Sequence, residues 1–257
     1  MKKVNNKGEG IIGIIPARWD SSRFPGKPLI QLHGRPMVVH VCDRAARVLD
    51  RIWVATDDER IQKTVEQYGY HVVMTSKTHT SGTSRCFEAG SLIAASEEKA
   101  ITGVINIQGD EPLINPQDLI RLKEVLLQHD PDIVTLVKRE FDPEVFHNPN
   151  RVKVVTGTDA HALCFSRSPL PYFSNPNRIT TDGFLIHIGI YGYPLDTLRA
   201  ITSLAPTLLE EAESLEQLRW LENGYPIRCL LTDYSGTGID SPEDVAEVLR
   251  RWSAASG

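Results

Sequence analysis

The sequence of 257 residues has no apolar run long enough to span a bilayer, no closely spaced cysteines and no excess of basic charge. Each absence excludes a class of function. The stretch from Met1 to Gly10 carries charge but no following apolar segment or small-residue cleavage site. It does not read as a signal peptide, so a cytoplasmic location without membrane insertion is expected. Cys42, Cys86, Cys164 and Cys229 lie far apart, which suits buried reduced thiols better than a zinc site. A formal net charge of -5 argues against a general nucleic-acid binder, so a polyanionic ligand must meet a local basic patch. There is no Gly-Lys-Ser/Thr leading into a helix and no dinucleotide fingerprint, which weighs against P-loop and hydride-transfer chemistry. No internal repeat or low-complexity segment appears.

What is present is the composition of a globular protein, with 41% hydrophobic and 24% charged residues. A chain of this length buries roughly 75% of its unfolded surface and folds without disulfide or metal staples. The run Ile11–Ile15 is short, β-branched and ends at a proline, as a strand buried on both faces does. Pro36 can open a helix with Val38, Val41, Cys42, Ala45, Val48 and Leu49 on one face. Strands are expected over 51–56, 71–74, 103–107 and 133–137, alternating with helices over 58–69, 84–95 and 117–128. This rhythm points to an α/β fold, a mostly parallel sheet flanked by helices. From Phe141 to Tyr193 it gives way to short extended pieces, 151–155 and 161–165 among them, between Asn/Pro-rich turns. A helix over 208–223, a strand over 227–231 and a helix beginning near Ser241 follow. One domain over 1–257 is expected: a nucleotide-binding part at 11–138, an inserted substrate or dimerisation lobe at 141–193, and a return to the main sheet with a metal loop over 194–257.

In open α/β sheets ligands bind beyond the carboxyl ends of strands, which is where the loop from Pro16 to Pro28 lies. Arg18, Arg23 and Lys27 can neutralise phosphate oxygens there, and backbone N–H groups near Ala17 and Ser21 can bond them. A surface turn with solvated charges is the alternative. Gln108-Gly-Asp-Glu-Pro112 directly follows another strand, and Gly236-Thr-Gly-Ile-Asp240 precedes a helix start. Asp110 and Asp240 are thus two carboxylates that can share Mg²⁺, a cation preferring oxygen ligands. Taken singly, Asp110 also fits a turn-forming residue and Asp240 a helix N-terminus.

The loop 15–28, together with Val54-Ala-Thr-Asp57, Ser81-Gly-Thr83 and Arg85, Asn106-Ile-Gln-Gly-Asp-Glu-Pro112, His187-Ile-Gly-Ile-Tyr191 and Leu215-Glu-Gln-Leu-Arg219, resembles the 3-deoxy-manno-octulosonate cytidylyltransferase (CMP-Kdo synthetase) family. The motifs follow the family's order from about Ile11 to Arg250. The resemblance implies a Rossmann-like fold, usually dimeric, that couples CTP to Kdo with release of pyrophosphate for lipopolysaccharide synthesis. It places Ala17, Arg18 and Lys27 on the triphosphate, Arg85 and Gln108 near the cytidine, and Asp110 and Asp240 on Mg²⁺. Arg167, His187, Tyr191, Glu216 and Gln217 would line the sugar-acid site. Read without the family, His187 and Tyr191 fit a core, Glu216 and Gln217 a solvated helix face, and Arg167 a surface ion pair.

The chain departs from the family pattern at Thr78 and Ser84, where acidic residues are frequent, and at Ile186 and Pro194, where basic ones are. These changes fall on the acceptor side and leave the CTP side intact. Kdo is the expected acceptor, with its 8-amino analogue or a sialic acid as alternatives; a nucleotide-binding module without catalysis is the alternative from another class.

Overall fold

The computed structural model describes residues 10–20, 24–128, 133–234, 236, 238, 239 and 241–255, with the side chains of 253–255 excepted. The first strand, β1 (Ile11–Pro16), ends where the loop toward Pro28 begins, and that loop closes in a 3-10 turn over Lys27–Leu29. A small hairpin, β2 (Gln31–Leu32) and β3 (Arg35–Pro36), turns through His33 and Gly34, both at positive φ. That is the two-residue turn in which glycine is favoured. There follow α1 (Met37–Ala45), β4 (Ile52–Thr56), α2 (Glu59–Gln67), β5 (His71–Met74), α3 (Gly82–Ser96) and β6 (Gly103–Asn106). Next come α4 (Pro116–Leu127), β7 (Ile133–Glu140), α5 (Pro143–His147), β8 (Lys153–Thr156), β9 (Ala162–Ser166), α6 (Arg178–Thr181) and β10 (Phe184–Pro194). The chain continues through α7 (Leu195–Thr202), α8 (Leu208–Glu213), α9 (Glu216–Glu222), β11 (Ile227–Leu231) and α10 (Pro242–Ala255).

The main sheet runs in the order β11-β7-β10-β6-β1-β4-β5, with β8 on β10 and β9 on β8. Pairing is parallel through β6, β1, β4 and β5 and between β11 and β7, while β10 runs antiparallel to both of its neighbours. The apolar run of β1 serves both faces because successive side chains point opposite ways. Ile11 and Ile15 pack with Val38 and Val41 of α1, Ile61 of α2 and Leu119 of α4. Ile12 and Ile14 pack with Cys86 and Ala89 of α3, Leu198 of α7 and Trp220 of α9. The α/β sheet flanked by helices is therefore as expected. The four cysteines are free, and three of them are buried.

Three boundaries differ from the expectation. Helix α1 stops at Ala45, so Val48 and Leu49 pack from the turn after it rather than from a helix face. The stretch 208–223 is two helices, because Ser214 adopts a left-handed conformation (φ 51) and Leu215 is extended (φ -130). The break starts a new helix at Glu216. The segment 141–193, read as a lobe of short extended pieces, supplies α5, β8, β9 and α6 at one side, but its last part is β10, the longest strand, set in the middle of the main sheet.

Helix α10 returns to the start of the chain. Trp252 meets His40 edge-on at 4.5 Å and His33 at 5.3 Å, with the Arg44 guanidinium 5.7 Å from its ring. Beneath it, Ile239 and Val248 share a buried cluster with Leu32 and Met37. No helix among the described residues is long and apolar enough to cross a membrane. Trp252→Ala should lower unfolding free energy by about 2 kcal/mol, less than for a fully buried tryptophan since this ring is only half-buried. Urea denaturation measures this; a change below about 0.5 kcal/mol, the scale of an ordinary surface substitution, would show that the helix is not clamped through this ring.

Candidate active site

At the carboxyl ends of β1 and β6 lies a cleft of about 230 Å³ lined by Ala17, Arg18, Lys27, Arg85, Gln108 and Asp110, among others. Ala17 extends the pairing of β1 by donating its N–H to Ala55 O (2.9 Å). The loop then folds back on itself: Gly26 N–H donates to Trp19 O (3.0 Å), and Gly26 takes φ 71. A Cβ at Gly26 would sit 3.0 Å from the Trp19 ring, which also meets the Arg60 guanidinium, 3.4 Å from its centroid. The glycine thus permits both the turn and the ring packing. Arg18 is exposed and makes no ion pair among the described residues, while Lys27 Nζ donates to Asp110 Oδ2 (2.6 Å). Ser21 and Arg23 lie outside the described residues.

Asp110 is held from two sides. Its neighbour Gly109 passes so close to the first loop that a Cβ there would lie 2.7 Å from Pro16 O. From the other side Ile239 N–H donates to Asp110 O (3.0 Å). Asp240 lies outside the described residues, but it directly follows that anchored isoleucine in the chain. The donor set suits a hard divalent cation, since Asp110 presents a partly exposed carboxylate at the cleft wall. No group of three or more candidate metal ligands occurs among the described residues. Arg85 is 3% exposed; it donates to Asp57 Oδ2 (2.8 Å) and Thr75 Oγ1 (2.7 Å) while bordering the cleft.

A second cavity of about 470 Å³ adjoins the first, and Gly82 and Gln108 line both. Arg167, His187, Tyr191, Glu216 and Gln217 all border it, although 50 positions separate the first of them from the last. Gln108 stands at the junction, its amide donating to Gly189 O (2.9 Å). The Arg167 guanidinium donates to three backbone carbonyls, Glu213 O (2.7 Å), Pro149 O (3.1 Å) and Ser214 O (3.2 Å), and meets no carboxylate among the described residues. Its charge is oriented yet not paired, which suits an anionic ligand. Beneath it the fully buried Lys153 donates to Asn148 O (2.9 Å) and Arg167 O (2.5 Å), and burial lowers its pKa.

On the opposite wall, Glu216 begins α9 and accepts from Thr83 Oγ1 (2.6 Å), Ser81 Oγ (3.1 Å) and Arg219 Nη2 (2.9 Å). Burial raises its pKa, while these donors favour the carboxylate. Gln217 is 6% exposed, so neither residue belongs to a solvated helix face. The pairing of β10 with β7 shifts between Ile188 and Tyr191. Thr135 Oγ1 reaches the freed carbonyls, donating to Ile190 O (2.8 Å) with Ile188 O at 3.3 Å. Having spent its proton, Thr135 accepts from His187 Nε2–H (3.0 Å), which leaves Nδ1 as an acceptor. Burial pushes the His187 pKa down to about 3 and that of Tyr191 up.

A family model described as cytidylyltransferase matches residues 12–229. The chain is similar to the 3-deoxy-manno-octulosonate cytidylyltransferase of Parabacteroides distasonis, at 45% identity over 246 residues, 93% of this chain and 96% of the relative. Among solved structures it resembles a CMP:2-keto-3-deoxy-manno-octonic acid synthetase complexed with CTP, at 38% identity and a TM-score of 0.85, covering 95% of this chain and 99% of that one. A 4-diphosphocytidyl-2C-methyl-D-erythritol synthase from Anaerococcus prevotii shares the fold at 14% identity and a TM-score of 0.61, covering 96% of this chain and 99% of that one.

Sequence reasoning gives no role to Ser81 and Thr83, which hold Glu216, or to Glu213, which accepts from Ser166 Oγ (2.5 Å) and Arg167 N–H (2.9 Å). The Ser-Gly-Thr motif at a helix start is a usable signal for the first two; Glu213 carries none. The neutral His187 ring gives a test. Between about pH 3 and 6.5 the unfolded chain binds a proton there that the folded chain does not. Its effect on stability is nil above that window and destabilising as the pH falls through it. Urea midpoints at pH 7 and pH 5 should therefore drop less in His187→Gln than in the unsubstituted protein; equal drops would mean the ring is not held neutral.

Proposed function

The chain belongs to the 3-deoxy-manno-octulosonate cytidylyltransferase family, and on that premise we propose that its two adjoining cavities divide the substrates, CTP in the cleft of Arg18 and Lys27, and Kdo in the cavity of Arg167 and Glu216. The enzyme couples CTP to Kdo to give CMP-Kdo and pyrophosphate, a step of lipopolysaccharide biosynthesis. The observation that carries the division is the sharing of Gly82 and Gln108 by both cavities, because the two reactants must meet at one border.

In this reading Ala17 offers its position on the loop to the triphosphate, a role the sequence also suggests for Ser21, and Arg18 and Lys27 neutralise its oxygens. Arg85 and Gln108 lie toward the cytidine. The carboxylate of the sugar acid takes the unpaired charge of Arg167, and its hydroxyls meet His187 Nδ1, Tyr191, Glu216 and Gln217. A polar wall of acceptors and donors suits a polyol better than an apolar group. The anomeric hydroxyl attacks the α-phosphorus in line and pyrophosphate leaves on the opposite side. Such chemistry consists chiefly of positioning and charge neutralisation, so no strong general base among the side chains is required.

Asp110 and Asp240 would hold Mg²⁺, which when bound neutralises phosphate charge and polarises the attacking hydroxyl. The anchoring of Ile239 to Asp110 O supports this, since it brings the chain beside Asp240 to Asp110. Lys27 shares the Asp110 carboxylate and would follow it in orienting on the phosphates. We further infer a cytoplasmic homodimer. The exposed apolar side chains of Leu163 on β9 and Tyr172 just beyond it, 68% and 89% accessible, support a subunit contact on that side of the fold. Sedimentation should show a species of two chains, and Leu163→Glu should shift it toward one.

Pyrophosphate release from CTP, Kdo and Mg²⁺ tests the assignment of roles. Asp110→Asn and Asp240→Asn should each lower kcat at least about 10²-fold with an unchanged circular-dichroism spectrum, the scale seen when a group stabilising developing charge is removed. Near-normal turnover in both would remove them from the metal role. Arg167→Lys should raise KM for Kdo and leave KM for CTP in place; a matched rise for both substrates would contradict the division of the cavities.

A further inference from the structure

Asn106 closes β6 in the middle of the sheet, with β1 on one side, paired at Ile14, and β10 on the other, paired at Tyr191. It is 1% exposed, and its carboxamide oxygen has no hydrogen-bond partner among the described residues. A buried amide left in this condition costs about 1–3 kcal/mol, so it calls for an explanation. Neighbouring groups do not supply one. The Asp110 loop and the Gln108 side chain turn to other partners, Lys27 and Gly189 O. Above Asn106 lies Gly82, the first residue of α3; a Cβ at Gly82 would meet the carboxamide at 3.7 Å, so any larger residue would pack against it.

The residue borders the second cavity beside Gly82 and Gln108, the two residues common to both cavities. The hydroxyl of its strand neighbour Tyr191 is likewise buried without a partner among the described residues, and Tyr191 borders the same space. We propose that Asn106 is a positioning residue for the sugar acid: its carboxamide hydrogen-bonds a hydroxyl at the reacting end of the acceptor, next to the border with the nucleotide cleft. A carboxamide both donates and accepts, as a hydroxyl does, so the match holds whichever way the amide is turned. The bond forms only when the acceptor is bound, and the unbound protein carries the unpaired carboxamide oxygen in its place. This inference rests on the assignment of the second cavity to Kdo.

That arrangement separates a binding role from a structural one. Asn106→Leu replaces an unsatisfied amide with an apolar group of similar size, so the ligand-free variant should melt at the same temperature as the unsubstituted enzyme or higher. Its KM for Kdo should rise at least tenfold while KM for CTP stays within twofold. With monodeoxy acceptors, the penalty for losing one particular hydroxyl should disappear in the variant. Asn106→Ser, which is smaller, carries the same kinetic comparison should leucine overfill the site. An unchanged KM for Kdo, a lowered melting temperature with parallel losses for both substrates, or identical deoxy penalties in both enzymes would overturn the inference. Absence of pyrophosphate release by the unsubstituted enzyme with Kdo would instead overturn the assignment of the cavity.

Discussion

The irregular pairing of β10 with β7 is the constraint on which the acceptor side depends. Regular antiparallel pairing would direct the carbonyls around Gly189 into the ladder. The shift between Ile188 and Tyr191 withdraws them, and each acquires a specific use. Gly189 O receives Gln108, while Ile188 O and Ile190 O receive the Thr135 hydroxyl and so determine how His187 is held. Bulges of this kind re-aim side chains and are common beside active sites. Here the consequence extends across three strands, because Tyr191 sits between Asn106 and Thr135 in the register.

The nucleotide side follows a different logic, in which close backbone approach replaces side-chain bulk. Gly109 lets the Asp110 loop touch the carbonyl of Pro16, and Gly26 lets the first loop close over Trp19. Opposite charges then meet across that narrow gap as Lys27 and Asp110. In the proposed complex a metal-bound triphosphate would offer complementary charge to both, so the ion pair and the reactive complex would draw on one set of partners. On the acceptor side the balance is reversed. Among the described residues the Arg167 guanidinium is oriented by carbonyls alone, and the buried Lys153 braces the same turn by donating to carbonyls.

Much of this architecture is legible in the amino-acid sequence. The apolar runs of β1, β4 and β6 read correctly, and α2 and α3 fall within about two residues of their expected ends, because local pattern and tertiary burial agree in them. Asp110 and the loop after β1 stand out because strand ends locate sites in such sheets. The central place of β10 is not legible: glycines at 189 and 192 interrupt its pattern, and its partners are set by pairing rather than by neighbours in sequence. The break at Ser214 lies within a stretch of good helix formers, and only the backbone angle reveals it. The brace on Arg167 from Glu213 spans 46 positions, a distance over which a single sequence carries no signal. The unpaired state of Asn106 is hidden as well, since an asparagine ending a strand has the ordinary look of a turn residue.

The hydrogen bond from Ile239 to Asp110, together with the packing of Trp252 on His33 and His40, joins residues separated by most of the chain. Loops that follow β1 and β6 emerge early in synthesis, and the segment whose Ile239 bonds Asp110 O emerges near the end. Contacts this distant in sequence form only after the entropy of closing the intervening loop has been overcome. A nascent chain that has already paired β1 with β4 and β6 therefore still lacks the bond that holds the Asp110 loop from its second side. The anchoring of the Asp110 loop thus arrives as a late docking event rather than growing with the length of the chain.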